Sequence, residues 1–220
     1  IKTMKKIIIY ATISFSILTA NGILKLEDSK IVNKHSKPVY LKGCNLGNWL
    51  MLEMWMLDYH NFSENGIEDQ YRFIKTLEDR FGKDKAETLM DIYRENWINE
   101  DDFDVVKSYG MNTIRLPFDY KILMNSDARP FKLKENAWYW LDFAIKVAKS
   151  KNMYVILDMH GAPGRQSEMD HSGRSGYNKL WTNKDYQDQM VWLWEKISNR
   201  YINEPVVAAY DLLNEPWGSG

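Results

Sequence analysis

The sequence predicts an α/β fold in which parallel strands are joined by crossover helices, and three observations predict it. Four short runs are nearly continuous in apolar residues, as expected of strands covered on both faces. Long stretches of helical period separate them. Two helix-to-strand junctions also repeat each other: Lys107-Ser108-Tyr109-Gly110-Met111 and Lys149-Ser150-Lys151-Asn152-Met153 both run from helix to left-handed stop to methionine to strand. One supersecondary unit is therefore used repeatedly.

In chain order, the first strand is expected over residues 39–44, followed by helical segments over 68–81 and 85–95. A helix over 99–108 starts on Asn99, whose side chain can cap it, and stops at Gly110. The second strand follows at 111–116. A helix over 135–150 stops at Asn152 and feeds the third strand at 153–159, and a helix over 185–200 leads to the fourth at 206–213. No Pro/Ser/Gly-rich linker or charge block divides the chain after residue 38, so it reads as one structural unit. The order β-α-β-α-β-α-β fits either an open doubly wound sheet or an incomplete barrel.

Before that unit, Lys2, Lys5 and Lys6 precede an apolar run over residues 7–18 that closes on Thr19, Ala20, Asn21 and Gly22. This is the layout of a secretory signal peptide over residues 1–20, too short for the ~20 apolar residues of a membrane span. The expected location is secreted or extracellular, with the periplasm and the cell surface as variants, and no stable membrane insertion once the signal is cleaved. Lys plus Arg is 29 against 30 Asp plus Glu, a net charge of -1, which gives no electrostatic reason to expect nucleic acid as a partner. Cys44 is the single cysteine, so no intrachain disulfide or cysteine-rich metal site can form, and it reads as a small buried hydrophobe. Asn61-Phe62-Ser63 fits the glycosylation sequon.

α/β folds place their chemistry at the carboxyl ends of the strands. There the chain offers Asn45 and Asn48, then Arg115, then Asp158 and His160, then Asn214 and Glu215. Polar groups gathered at one end of four oily strands are the main functional signal. Pro216 is expected to hold the Glu215 backbone extended and so to aim its carboxyl, which at a cavity rim would suit a general acid. Arg115 could keep a second carboxylate ionised. Asp158 and His160, two apart on one face, raise a metal pair as a rival, but His171 after Asp170 is the one further histidine in reach, so no metal or cofactor is expected. The turn Gly161-Ala162-Pro163-Gly164-Arg165 lacks the lysine and spacing of a phosphate-binding loop. Trp49, Trp55, Trp181 and Trp217, near strand ends, would suit sugar faces, whereas Trp138, Trp140, Trp192 and Trp194 read as core.

The segments 41–50 (LKGCNLGNWL), 110–117 (GMNTIRLP), 158–164 (DMHGAPG) and 213–216 (LNEP) resemble glycoside hydrolase family 5, and within it the exo-β-1,3-glucanase branch. That resemblance implies a (β/α)8 TIM barrel, of which this chain supplies about the first four βα units, residues 21–220 forming the amino-terminal half of the catalytic domain. It implies retaining hydrolysis of β-glucan, with Glu215 as acid/base, Asn214 against the sugar 2-hydroxyl, Arg115 beside the nucleophile and His160 in the cleavage subsite. Glu53 and Asp170 match sugar-binding carboxylates of the exo branch. Where that branch has an aromatic before the aspartate, this chain has Met169, and Glu168 and His171 also differ. The nucleophile implied, a glutamate on the seventh strand, is not in this chain, so the 220 residues alone are expected to be inactive and poorly soluble, and the full-length protein a monomer. Endo-β-1,4-glucanase, mannanase and a non-catalytic carbohydrate-binding barrel are the alternative readings.

Overall fold

A computed structural model describes residues 22–57 and 64–218. The export signal expected over residues 1–20 and the sequon at Asn61 lie outside the described residues. The first element is a hairpin that the sequence reading did not anticipate: β1 (Lys25–Glu27) pairs antiparallel with β2 (Lys30–Val32), in the register Leu26↔Ile31. Its turn residues Asp28 and Ser29 both take positive φ, 47° and 62°, as a two-residue primed turn requires. The signal was an Asp-Ser pair between short alternating segments.

The strand expected over 39–44 is divided. Val39 N–H donates to Ile31 O at 2.8 Å and Pro38 bridges Val32, so this end joins the hairpin. Only β3 (Gly43–Asn45) enters the main sheet. Between the two, the Asn112 side chain accepts from Lys42 N–H and donates to Tyr40 O, occupying backbone groups that a longer strand would have paired. Glycine is required at 43, because a Cβ there would lie 1.9 Å from Thr113 O.

β3, β4 (Thr113–Asp119), β5 (Tyr154–Gly161) and β6 (Val207–Asp211) form a parallel sheet in chain order, β3-β4-β5-β6. Each crossover places the next strand on the same side of the last. A doubly wound sheet reverses its strand order at a switch point, and the four described strands contain no reversal. The progression is that of a barrel wall.

The connecting helices follow the sequence signals. Asp69 caps α1 (Gln70–Phe81) through Arg72 N–H, and Gly82 at φ 80° separates α1 from α2 (Lys83–Trp97). A capping box between Asn99 and Asp102 opens α3 (Glu100–Ser108). Gly110 (φ 76°) and Asn152 (φ 55°) are both left-handed, so the repeated junction is one conformation used twice. α4 (Tyr139–Ser150) begins four residues later than expected, since 136–139 form a turn and Trp138 at the cap offers no acceptor. Asn183 caps α5 (Lys184–Tyr201) through Asp185 N–H. Among the described residues no helix is long and apolar enough to cross a membrane.

The strands are apolar on both faces in sequence but not in role. Ile114, Leu116 and Phe118 of β4 and Val155, Leu157 and Met159 of β5 are fully buried, packing with Leu141, Ala144 and Ala148 of α4 and Leu193 and Ile197 of α5. Each of the larger aliphatic or aromatic side chains among them contributes roughly 1.5–3 kcal/mol. Because strand side chains alternate, Arg115, Asp158 and His160 point to the opposite face. Trp49 belongs to the core, 1% exposed, edge-on to Trp140 and Phe143, with its indole N–H on Arg94 O. This corrects its assignment to a sugar platform. Cys44 is half-buried against the core rather than fully enclosed, and burial pushes its thiol up, away from reactivity.

Candidate active site

Parallel register sets the site. Asn45 lies beside Arg115, and Asp158 beside Asp211, in successive strands of one sheet. Arg115 is the hub: Nε and Nη2 donate to Asp211 Oδ2 at 3.0 and 2.8 Å, and Nη2 also reaches Asn214 Oδ1 at 2.9 Å and Asp158 Oδ2 at 3.1 Å. Its Nη1 is 3.5 Å from Asn45 Oδ1. His160 Nδ1 is 2.7 Å from Asp158 Oδ2, and His160 Nε2 is 3.2 Å from Asn214 Nδ2. The side chains of Arg115, His160 and Asn214 are therefore brought together. Asp158 is wholly buried, and burial pushes its carboxyl above the ordinary range against the opposing pull of His160 and Arg115.

Glu53 comes to the same site, with its Oε1 4.0 Å from His160 Nε2 and 3.3 Å from the Trp55 indole nitrogen, which donates to it. Asn48 sets its place. Held at φ 57° and buried, Asn48 accepts from Glu53 N–H at 2.8 Å, while its own carbonyl and amide are taken up by the Tyr93 hydroxyl. Asn48 is thus a structural bracket and not itself exposed to a ligand. Asp170 opens a 3-10 turn, Asp170–Ser172, and the next residue, His171, lies with Nδ1 3.7 Å from Glu215 Oε2. Trp55, Trp217 and, to a lesser extent, Trp181 are exposed aromatics nearby.

Glu215 departs from expectation. Its backbone is not extended but left-handed, at φ 38°, and its side chain is 59% exposed. The cause is a reversal pinned at both ends: Asn214 N–H donates to Met159 O, and Trp217 N–H donates to Gln166 O. The chain must turn between these anchors, at roughly 1–2 kcal/mol for a residue with a Cβ, and that demand outweighs the extended preference ahead of Pro216.

Two participants escaped the sequence reading. Asp211 was absorbed into the apolar run 206–213, although it is the one acid there and two residues short of the Leu213-Asn214-Glu215-Pro216 motif. Gln166 carried no signal beyond its place after a glycine-rich turn. It is fully buried, and its Nε2 donates to His160 O (2.7 Å) and Asn214 O (2.9 Å), its Oε1 accepts from Ala162 N–H (3.2 Å), and its carbonyl accepts from the Trp181 indole (3.0 Å). It ties the loop after β5 to the loop after β6. Beside it, Arg165 and Asp119 form a buried ion pair that Gln70 completes through Asp119 Oδ2. Among the described residues no group of three or more His, Cys, Asp or Glu converges as a metal cage. The Asp158–His160 pair is instead spent on the arginine network.

Residues 79–220 match the family model described as cellulase (glycosyl hydrolase family 5). Similar curated proteins include a "Beta-xylosidase" of Phanerodontia chrysosporium, 36% identical over 194 residues, which covers 88% of this chain and 39% of that protein. A "Glucan 1,3-beta-glucosidase" of Blumeria graminis is 34% identical over 185 residues, covering 81% of this chain and 42% of its own length. The chain spans less than half the length of these relatives. In three dimensions it is similar to rutinosidase from Aspergillus niger, with a TM-score of 0.67 at 21% identity over 80% of this chain and 49% of the other, a likeness of fold. With the family model matched over more than half its length, and with that fold, the chain belongs to the cellulase family, glycosyl hydrolase family 5.

Proposed function

We propose that this chain is the amino-terminal part, about four βα units of a (β/α)8 barrel, of a secreted, monomeric glycosidase that hydrolyses β-glucan with retention, acting from the chain end on β-1,3 linkages. The observation that carries this reading is the convergence of Arg115, His160 and Asn214 on one face of the sheet, next to Glu215. Relatives named as glucan 1,3-beta-glucosidases support the choice of substrate.

Retaining hydrolysis uses two carboxyl groups about 5–5.5 Å apart and requires neither metal nor cofactor. Glu215 serves as the acid/base, first protonating the leaving oxygen and then activating water on the glycosyl-enzyme. The nucleophile is a carboxylate from the remainder of the protein. Arg115 keeps that carboxylate ionised, and Nη1, which meets Asn45 Oδ1 at 3.5 Å, is the arm not taken up by Asp211, Asp158 or Asn214. Asn214 meets the sugar 2-hydroxyl, His160 belongs to the cleavage subsite, and Glu53 and Asp170 bind the sugar.

Product analysis with the full-length enzyme tests the reading. Glucose should leave laminarin one unit at a time, and Glu215→Gln should lose most of the turnover. Oligosaccharides from carboxymethylcellulose or mannan would transfer the assignment to an endo-β-1,4-glucanase or mannanase, and xylose released from β-xylosides in preference to glucose would transfer it to the activity named for the Phanerodontia relative. No hydrolysis of any of these would leave a carbohydrate-binding barrel without catalysis.

A further inference from the structure

The hydrogen-bond pattern around Asn214 fixes the position of a proton. Arg115 Nη2 can only donate, so the Asn214 atom it meets at 2.9 Å is the carbonyl Oδ1. The other arm of that amide, Nδ2, faces His160 Nε2 at 3.2 Å, and an NH2 group can only donate. Nε2 is therefore the acceptor and carries no hydrogen. The ring proton sits on Nδ1, which donates to Asp158 Oδ2 at 2.7 Å.

We propose that Asp158 is a positioning residue of the active site: its carboxylate holds His160 in the Nδ1–H tautomer, and the tautomer in turn orients the Asn214 amide and the turn that carries Glu215. The proposal deepens the glycosidase reading above and rests on it for its kinetic consequence. A group that only accepts is needed at 158. An amide there could present N–H to Nδ1 and drive the proton to Nε2, where it would meet the Asn214 N–H head-on. Asp158 acts through Oδ2 alone, since its Oδ1, equally buried, has no hydrogen-bond partner among the described residues. The groups facing it are Arg115, His160 and, as a like charge, Asp211. Burying this carboxylate is costly, and taking away one partner of a buried pair leaves the other uncompensated, so a loss of stability in Asp158→Asn does not by itself distinguish the two roles. The ring tautomer is the discriminating readout, since a purely structural role would not move it.

Ring nitrogen-15 spectra of the full-length protein with labelled histidine, assigned with His160→Gln, test the proposal without any turnover. His160 should be protonated at Nδ1 and bare at Nε2 in the wild type, and Asp158→Asn should move the proton to Nε2 in part or in full. A wild-type ring protonated at Nε2, alone or together with Nδ1, overturns the proposal, and so does an unchanged tautomer in Asp158→Asn. In kinetics on the substrate that the wild type cleaves, Asp158→Asn should lower kcat roughly 100-fold, the scale of an ångström-level misplacement, with KM within about twofold. Added to His160→Gln, it should cost no more than about threefold further, because both changes break one relay. Losses that multiply overturn the inference. A wild type without glycosidase activity would refute the proposed function, while the ring spectra would still decide this one.

Discussion

Removing the Gln166 side chain should separate the two loops that build the site. Gln166→Ala deletes three side-chain hydrogen bonds, to His160 O, Asn214 O and Ala162 N–H, at a residue with no exposed surface. A buried backbone group left without its partner costs about 1–3 kcal/mol. The amide that is lost leaves room for a water, which would restore part of the bonding, so about 1 kcal/mol for each of the three groups is the working figure. The expected loss is then roughly 3 kcal/mol, read as a fall in the urea midpoint of the full-length protein at unchanged slope. Gln166→Glu separates bonding from shape. It keeps the volume and the acceptor for Ala162 but turns a carboxylate toward two carbonyls, so it should destabilise at least as much as Ala. The Asn214-Glu215 turn hangs from this bracket, and kcat should fall in both variants. A Gln166→Ala midpoint shift worth less than about 0.5 kcal/mol would refute the reasoning.

Three further outcomes are expected. Burial raises Asp158 above its ordinary 3.8, so the folded protein holds that proton more tightly than the unfolded chain; the resulting stability is complete below 3.8 and is lost as pH rises through the folded value. Asp158→Asn removes that dependence, and the stability difference, variant minus wild type, should grow with pH from about 3.5 upward in urea titrations; a flat difference contradicts the assignment. Arg165→Met should cost about 3–5 kcal/mol, because Asp119 stays buried with its cation gone, and Asp119→Asn in the same chain should recover part of the loss in the same assay. The 220-residue chain expressed by itself should self-associate in light scattering and show no hydrolysis, since the outer edges of β3 and β6 are unpaired among the described residues. A monomer with a single cooperative melt would count against that expectation.

The fold was readable because it rests on local rules: a cap at Asn99, left-handed stops at Gly110 and Asn152, and runs of strand-forming residues between them. At two departures from the reading, a long-range hydrogen bond had overruled a local preference. Asn112 ends the first strand early from 70 residues away, and Gln166 bends Glu215 into a conformation that Pro216 disfavours. The same division runs through the site. His160 and Asn214 stand at or just past strand ends, where position alone advertises them, and Arg115 lies inside β4, four residues before its end, but what those residues can do depends on Asp158, Asp211 and Gln166, whose meaning appears only when the strands are in register. Arg115 illustrates the difference. From sequence it is a free cation awaiting one carboxylate; in the structure Asp211 and Asp158 already bind it on one side. Two carboxylates already share one guanidinium, so a third approaching Arg115 would find part of its attraction spent, and Nη1, which meets Asn45 at 3.5 Å, is the arm offered to it. The acid that orients His160 and the acid that flanks Arg115 are the same residue, and its Oδ2 links the two halves of the site.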